Sequence, residues 1–175
     1  RMPQEFSNVR FYGRGPWENY CDRKDGAVLD IYSCSVDDMY VPYVRPQENG
    51  HRVDVRWLEI KNAKGRGLTI YAVENPFEFN ALHNSVEDFD CEESDAPYQW
   101  NNFVENDPHD VGRARNVMKK QTHVSDISPR NFTEICIDSR MTGVGGDNSW
   151  GAETYEKYKV LTSQPQKLSF KIVPF

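Results

Sequence analysis

The residues best suited to chemistry in this chain of 175 lie in one stretch, Gly143-Val144-Gly145-Gly146-Asp147-Asn148-Ser149-Trp150-Gly151. Four glycines and a tryptophan in nine residues describe a tight loop that displays a large aromatic. Glycine allows sharp bends and close backbone approach. Asp147, Asn148 and Ser149 can hydrogen-bond their own backbone and hold the bend. An indole face is the usual partner for the C–H face of a sugar ring, so Trp150 is a candidate sugar-binding residue. Gly145, Gly146, Asp147 and Ser149 are candidates for supporting that loop. The competing reading is a glycine-rich turn whose tryptophan plugs the core.

Catalytic signatures are absent from the remaining polar residues. A glycosidase needs two carboxylates in different environments. Asp37-Asp38, Glu92-Glu93 and Asp88 with Asp90 are available, and their context reads as solvated surface acids. His51, His83, His109 and His123 have no metal-ligand spacing, and His83 reads as structural. No Gly-x-Ser-x-Gly elbow occurs, and Gly143-Val144-Gly145-Gly146 lacks the Gly-Lys-[Ser/Thr] ending of a phosphate loop. Cys21, Cys34, Cys91 and Cys136 are too scattered for a zinc or redox pair and read as buried reduced thiols. No catalytic residue and no metal ligand is therefore assigned. What remains is recognition, of a sugar first and of a protein surface next.

The elements that must position the loop are strands. Leu168 to Ile172 alternates apolar and polar as a half-buried strand does. Val53 to Trp57 alternates too, but Leu58 and Ile60 carry the apolar phase to the other face, as at a bulge. Asn62 to Gly67 reads as the turn of a hairpin leading into Leu68 to Val73. Val28 to Tyr32, Glu134 to Asp138 and Tyr158 to Leu161 are further strand candidates. Helical signals are single capped turns at Ser35-Val36-Asp37-Asp38 and Ser85-Val86-Glu87-Asp88. A polar stretch, roughly 92–121, has no periodicity and reads as an insertion. The chain is expected to be one mainly β domain over 1–175, an antiparallel β-sandwich.

Composition agrees with that class. Aromatics make up 13% while hydrophobic residues make up only 38%, a balance that suits β faces lined with rings. A net charge of −6 argues against nucleic-acid partners. No apolar run approaches the ~18 residues of a membrane span, so no membrane is expected. A soluble chain follows, with a cytoplasmic or periplasmic compartment left open.

Three ordered segments resemble a known family. They are Tyr12-Gly13-Arg14-Gly15-Pro16-Trp17-Glu18-Asn19-Tyr20-Cys21-Asp22-Arg23, Asp38 to Arg52 (with Pro46-Gln47-Glu48-Asn49-Gly50), and Met141 to Trp150. Together they resemble the C-terminal domain of LacZ-type β-galactosidases, in glycoside hydrolase family two, from about Phe11 to Phe175.

The resemblance implies part of a galactose-mutarotase-like supersandwich and retaining hydrolysis of terminal β-D-galactosides. Both catalytic glutamates would lie on a TIM barrel outside this chain. It implies that Trp150 stacks on the aglycone sugar, with Asp147 and Ser149 holding the loop. Asn19, Tyr20, Asp22 and Arg23 would clamp a turn, offering an ion pair and hydrogen bonds. Glu48 and Asn49 would form a second turn, and Arg52 would pair with a carboxylate. The Mg and monovalent cation common in the family would bind outside the chain, since Arg45 disfavours a cation beside Pro46. The expected partners are the parent enzyme's remaining domains and a galactoside. The isolated chain is expected to be inactive and to self-associate through uncovered sheet. A free-standing carbohydrate-binding or mutarotase-like module is the alternative, and a purely structural interaction domain is a third reading.

Overall fold

The computed structural model describes residues 1–89, 123–146, 148 and 151–175. Two antiparallel sheets make the fold. The first carries β1 (Met2–Pro3), β8 (Phe132–Asp138), β7 (Phe77–Leu82) and β4 (Arg52–Val55), adjacent in that order. The second carries β3 (Val28–Ser35), β2 (Asn8–Gly15), β5 (Trp57–Lys61), β6 (Gly67–Ala72) and β9 (Phe170–Pro174). Single 3-10 turns stand at Asp37–Met39, Val86–Asp88, Val124–Asp126 and Glu156–Tyr158. The expected insertion at 92–121 lies outside the described residues.

Alternation builds the core. Val9 and Phe11 of β2, Leu58 and Ile60 of β5 and Ile70 of β6 point inward from the five-stranded sheet. They meet Val55 of β4 and Phe77, Phe79 and Ala81 of β7. Phe11 packs edge-on against Phe79 with ring centres 5.3 Å apart. Burying an aromatic or branched side chain of this kind stabilises by about 1.5–3 kcal/mol.

The phase slip after Val55 is where the chain changes sheet. Val53 and Val55 are fully buried in one sheet, and Leu58 and Ile60 are fully buried in the other. β4 shifts register between Arg52 and Val55, where Asp54 takes φ 57°, and just beyond it the Arg56 amide bonds the Tyr12 carbonyl at 2.8 Å. The hairpin forms as read: Asn62 Oδ1 accepts the Lys64 and Arg66 amides at 3.0 and 3.1 Å. Both expected capped turns form as well, and Asp88 Oδ2 accepts the Ser85 amide at 2.9 Å.

Two expectations about these elements fail. Tyr158 to Leu161 is not a strand: a 3-10 turn ends at Tyr158, and the chain then runs along the glycine segment. Its backbone there meets isolated partners, with Gly143 donating to the Tyr158 carbonyl and Val160 donating to Thr142 Oγ1. Asp88 is not a solvated surface acid. It is 1% exposed and clasped by Arg130, whose Nε lies 3.0 Å from Oδ2.

The second sheet is wider than its cover. Ile172 pairs with Ile70 and therefore faces the same side, yet it is 53% exposed where Ile70 is 4% exposed. Val28, on the opposite edge strand, pairs with the inward-facing Gly15 and is 66% exposed. The inner face is thus covered at its centre and bare at both edges.

Candidate functional site

Parts of three connections meet: 16–27 after β2, the end of 36–51 before β4, and the start of 139–169 after β8. A loop has no ladder to satisfy its backbone, so side chains must do it. Asn19, 1% exposed, is the first such device. Its Nδ2 donates to the Arg14 and Trp17 carbonyls at 2.9 and 3.0 Å, and its Oδ1 accepts the Val53 amide at 3.2 Å. Its own amide reaches the His51 carbonyl at 2.9 Å, joining the first connection to the second.

Asn49 does the same for the second connection. Its Oδ1 accepts the Val41 amide at 3.0 Å and its Nδ2 donates to the Gln47 carbonyl at 2.9 Å. The expected turn has its left-handed residue at Gly50, φ 75°, whose amide donates to Glu18 Oε2 at 3.0 Å. Glu18 also accepts from the Tyr43 hydroxyl and from Arg23 at 3.2 Å. The ion pair expected within the first motif therefore joins Arg23 to Glu18 and leaves Asp22 free for the glycine segment. Glu48 receives Asn80 Nδ2 at 3.0 Å, and burial raises its pKa above the usual carboxylate value.

Arg52 departs from expectation. Its guanidinium serves carbonyls instead of a carboxylate: Nε donates to Pro16 at 3.0 Å and Nη1 to Gly50 at 2.8 Å and His51 at 3.2 Å. Five donors in a fixed fork can satisfy several carbonyls at once. Burial lowers its pKa from the usual arginine value.

The glycine segment is held from two sides. Asp22 Oδ2 accepts the Gly145 amide at 2.7 Å. Glu78 Oε2, on β7, accepts the Met141 amide at 2.7 Å and faces His51 Nε2 at 3.0 Å. His51 in turn stacks on Tyr20, ring centres 5.4 Å apart and 11° from parallel. Burial, more than the neighbouring Glu18, pushes the Tyr20 phenol far above its usual pKa, so it stays neutral. Cys21 Sγ reaches the Met141 carbonyl at 3.3 Å. Burial raises the pKa of this thiol too, with Glu78 and Asp22 adding to it.

Sterics explain two of the glycines. A Cβ on Gly146 would lie 2.5 Å from the Ala152 carbonyl oxygen, and one on Gly143 would lie 2.6 Å from Asp22 Oδ2. Gly145 is less confined, its Cβ meeting only Asp22 Oδ2 at 3.2 Å. Asp147, Ser149 and Trp150 lie outside the described residues. The described part of the segment, 141–146, shows how the loop is rooted.

Beside that root runs a cleft of about 420 Å³, lined by Cys21, Lys24, Asp54, Glu78, Arg140 and Tyr158 among others. Burial tends to raise the pKa of Asp54, but hydrogen bonds from Lys24 at 2.9 Å and Arg14 at 2.6 Å outweigh it and leave the carboxyl below its usual value. The cleft's acids are thus committed to partners on this chain. His83 is structural, its Nδ1 3.0 Å from the Phe132 carbonyl. Cys21, Cys34 and Cys136 are free thiols and only partly buried.

Sequence reasoning overlooked Glu78 and His51. The one signal for His51 was its place inside the second motif. Glu78 had no signal beyond being an acid between two phenylalanines.

A family model described as the beta galactosidase small chain matches residues 1–172. The chain is 32% identical over 173 residues to a β-galactosidase of Priestia megaterium, covering 99% of this chain and 14% of that protein. It is 30% identical over 177 residues to the β-galactosidase BgaC of Bifidobacterium adolescentis, with 99% and 14% covered. Against a β-galactosidase of Streptococcus thermophilus it is 29% identical over 170 residues, with 97% and 14% covered. The chain spans about 14% of the length of each of these relatives.

Proposed function

The chain belongs to the beta-galactosidase small-chain family, and we propose that it serves a β-galactosidase as the part that presents an aromatic residue to the aglycone. The observation that carries this reading is the double anchorage of the glycine segment, by Asp22 at Gly145 and by Glu78 at Met141. A purely structural turn has no need of two carboxylates, one from the connection after β2 and one from strand β7. A platform that must meet a substrate does, because stacking rewards a ring held in place.

The parent reaction would be retaining hydrolysis of terminal β-D-galactosides, with acid/base and nucleophile supplied outside this chain. Trp150 would stack on the aglycone sugar, adding about 1 kcal/mol beyond the area it buries. Such binding energy weights KM more than bond cleavage. Any Mg or monovalent cation would act at the parent's other domains, and the chain alone would not turn over substrate.

The bare edges of the second sheet support the same reading. Val28, Phe170 and Ile172 leave an apolar rim that the remaining domains of the parent would cover. Without them the chain would associate with itself along these edges.

The test is kinetic. Trp150→Ala in the full-length gene product is expected to raise KM for a disaccharide galactoside by about fivefold or more, with a smaller loss in kcat. An unchanged KM contradicts the reading, and sugar binding by the chain alone would favour a free-standing module.

A further inference from the structure

Glu78 belongs to none of the three motifs, yet two of them touch it and the first reaches it through His51. It sits on β7 between Phe77 and Phe79, both fully buried, in a strand flanked by β8 and β4. Its own side chain is 11% exposed. A carboxylate in that position is unfavourable unless donors satisfy it. Oε2 has two partners: His51 Nε2 at 3.0 Å from the second motif, and the Met141 amide at 2.7 Å from the third. The first motif contributes Tyr20, whose ring lies flat on His51.

The segment it grips cannot hold itself. Gly143, Gly145 and Gly146 have no side chains with which to fix a path, so the path is imposed from outside. Gly145 is tied to Asp22, which is more exposed than Glu78, and Gly143 is tied to the Tyr158 carbonyl in another loop. Glu78 is the anchor that stands on a central strand, and it acts at Met141, close after the end of β8.

We propose that Glu78 is a positioning residue for aglycone recognition: through the Met141 amide it sets the direction in which residues 141–146 leave the sheet, and so where the segment delivers its tryptophan end. His51 completes the anchor at the same oxygen, Oε2, and Tyr20 stacks on His51. The inference rests on the reading of Trp150 given above. It adds a specificity role for a residue that touches no substrate.

The experiment compares Glu78→Gln, Trp150→Ala and the double variant in the full-length gene product, with a β-galactosyl disaccharide as substrate. Gln keeps the shape and removes the charge that strengthens both hydrogen bonds. Glu78→Gln is expected to raise KM about threefold to fivefold, no more than Trp150→Ala does because it acts through that residue, and to lower kcat by less than about twofold. In the Trp150→Ala background the same change should add little. A merely structural role would instead reduce kcat with the amount of folded enzyme and leave KM in place. That result, or additive effects in the double variant, overturns the proposal. If Trp150→Ala alone leaves KM unchanged, the reading of the site falls first and this inference with it. Should Glu78→Gln fail to accumulate as folded protein, Glu78→Asp serves the same comparison, because it keeps the charge and withdraws it from Met141 by one methylene.

Discussion

Asp22 and Gly145, 123 residues apart in the chain, are joined by a 2.7 Å hydrogen bond from the Gly145 amide to Asp22 Oδ2. That bond ties the connection after β2 to the glycine segment after β8. Asp22→Ala is expected to loosen the segment without unfolding the sandwich. Losing a hydrogen bond to a charged group costs about 1.5–3 kcal/mol, reduced here because Asp22 is partly exposed. Hydrogen exchange at the Gly145 amide should quicken while the Leu58 and Ile60 amides keep their protection. Equal rates at Gly145 in both proteins would show that the bond does not hold the segment.

Two glycine-to-alanine changes should differ in sign of effect. At Gly146 a methyl would press to 2.5 Å from the Ala152 carbonyl, a backbone atom with little freedom to move. Overpacking of this kind costs about 1–3 kcal/mol. At Gly26 a methyl meets nothing within 4 Å, so Gly26→Ala should be neutral or slightly stabilising. Thermal unfolding of both variants checks the pair, and equal melting temperatures would refute the steric account.

The Asp88–Arg130 pair should matter far more than the surface pair Lys167–Glu74. Side-chain exposures are 1% and 6% in the first and 70% and 50% in the second. Removing one partner of a buried pair costs about 3–5 kcal/mol, because the other charge is left uncompensated. An exposed pair is worth about 0–1 kcal/mol. Urea midpoints of Arg130→Met and Lys167→Met should therefore separate widely, and similar shifts would sink the argument.

Much of this was legible in the chain beforehand. The strands β3, β5, β6 and β8 and the Asn62 hairpin follow from side-chain spacing, whereas β2 and β7 were not picked out as strands. The sheet change at Arg56 was visible only as a phase slip, since one bulge and one crossing leave the same local pattern. Tyr158 to Leu161 misled because short apolar runs look alike whether they join a ladder or lie along a loop. Asp88 was misread because the partner that buries it, Arg130, stands 42 residues away. Glu78 was invisible for a related reason. An acid flanked by phenylalanines signals an outward, solvated position, and here two distant connections cover that outward face.

Acid should weaken the fold through Asp54. Its folded pKa is lowered, so its stabilisation is fully present above the unfolded value of about 3.9 and fades as pH falls through the folded value. Asp54→Asn should lose stability at neutral pH and show a shallower decline below about pH 4. Stability curves against pH for the two proteins provide the check. Parallel curves would mean that Lys24 and Arg14 contribute nothing through this carboxylate.

The measurement that bears most directly on the account is hydrolysis of a chromogenic β-galactoside by the purified chain alone, at high concentration, beside the full-length gene product. The account expects turnover from the full-length protein and none from the chain. Turnover by the chain alone, abolished by a point change within it, would contradict the account and place the catalytic carboxylates here.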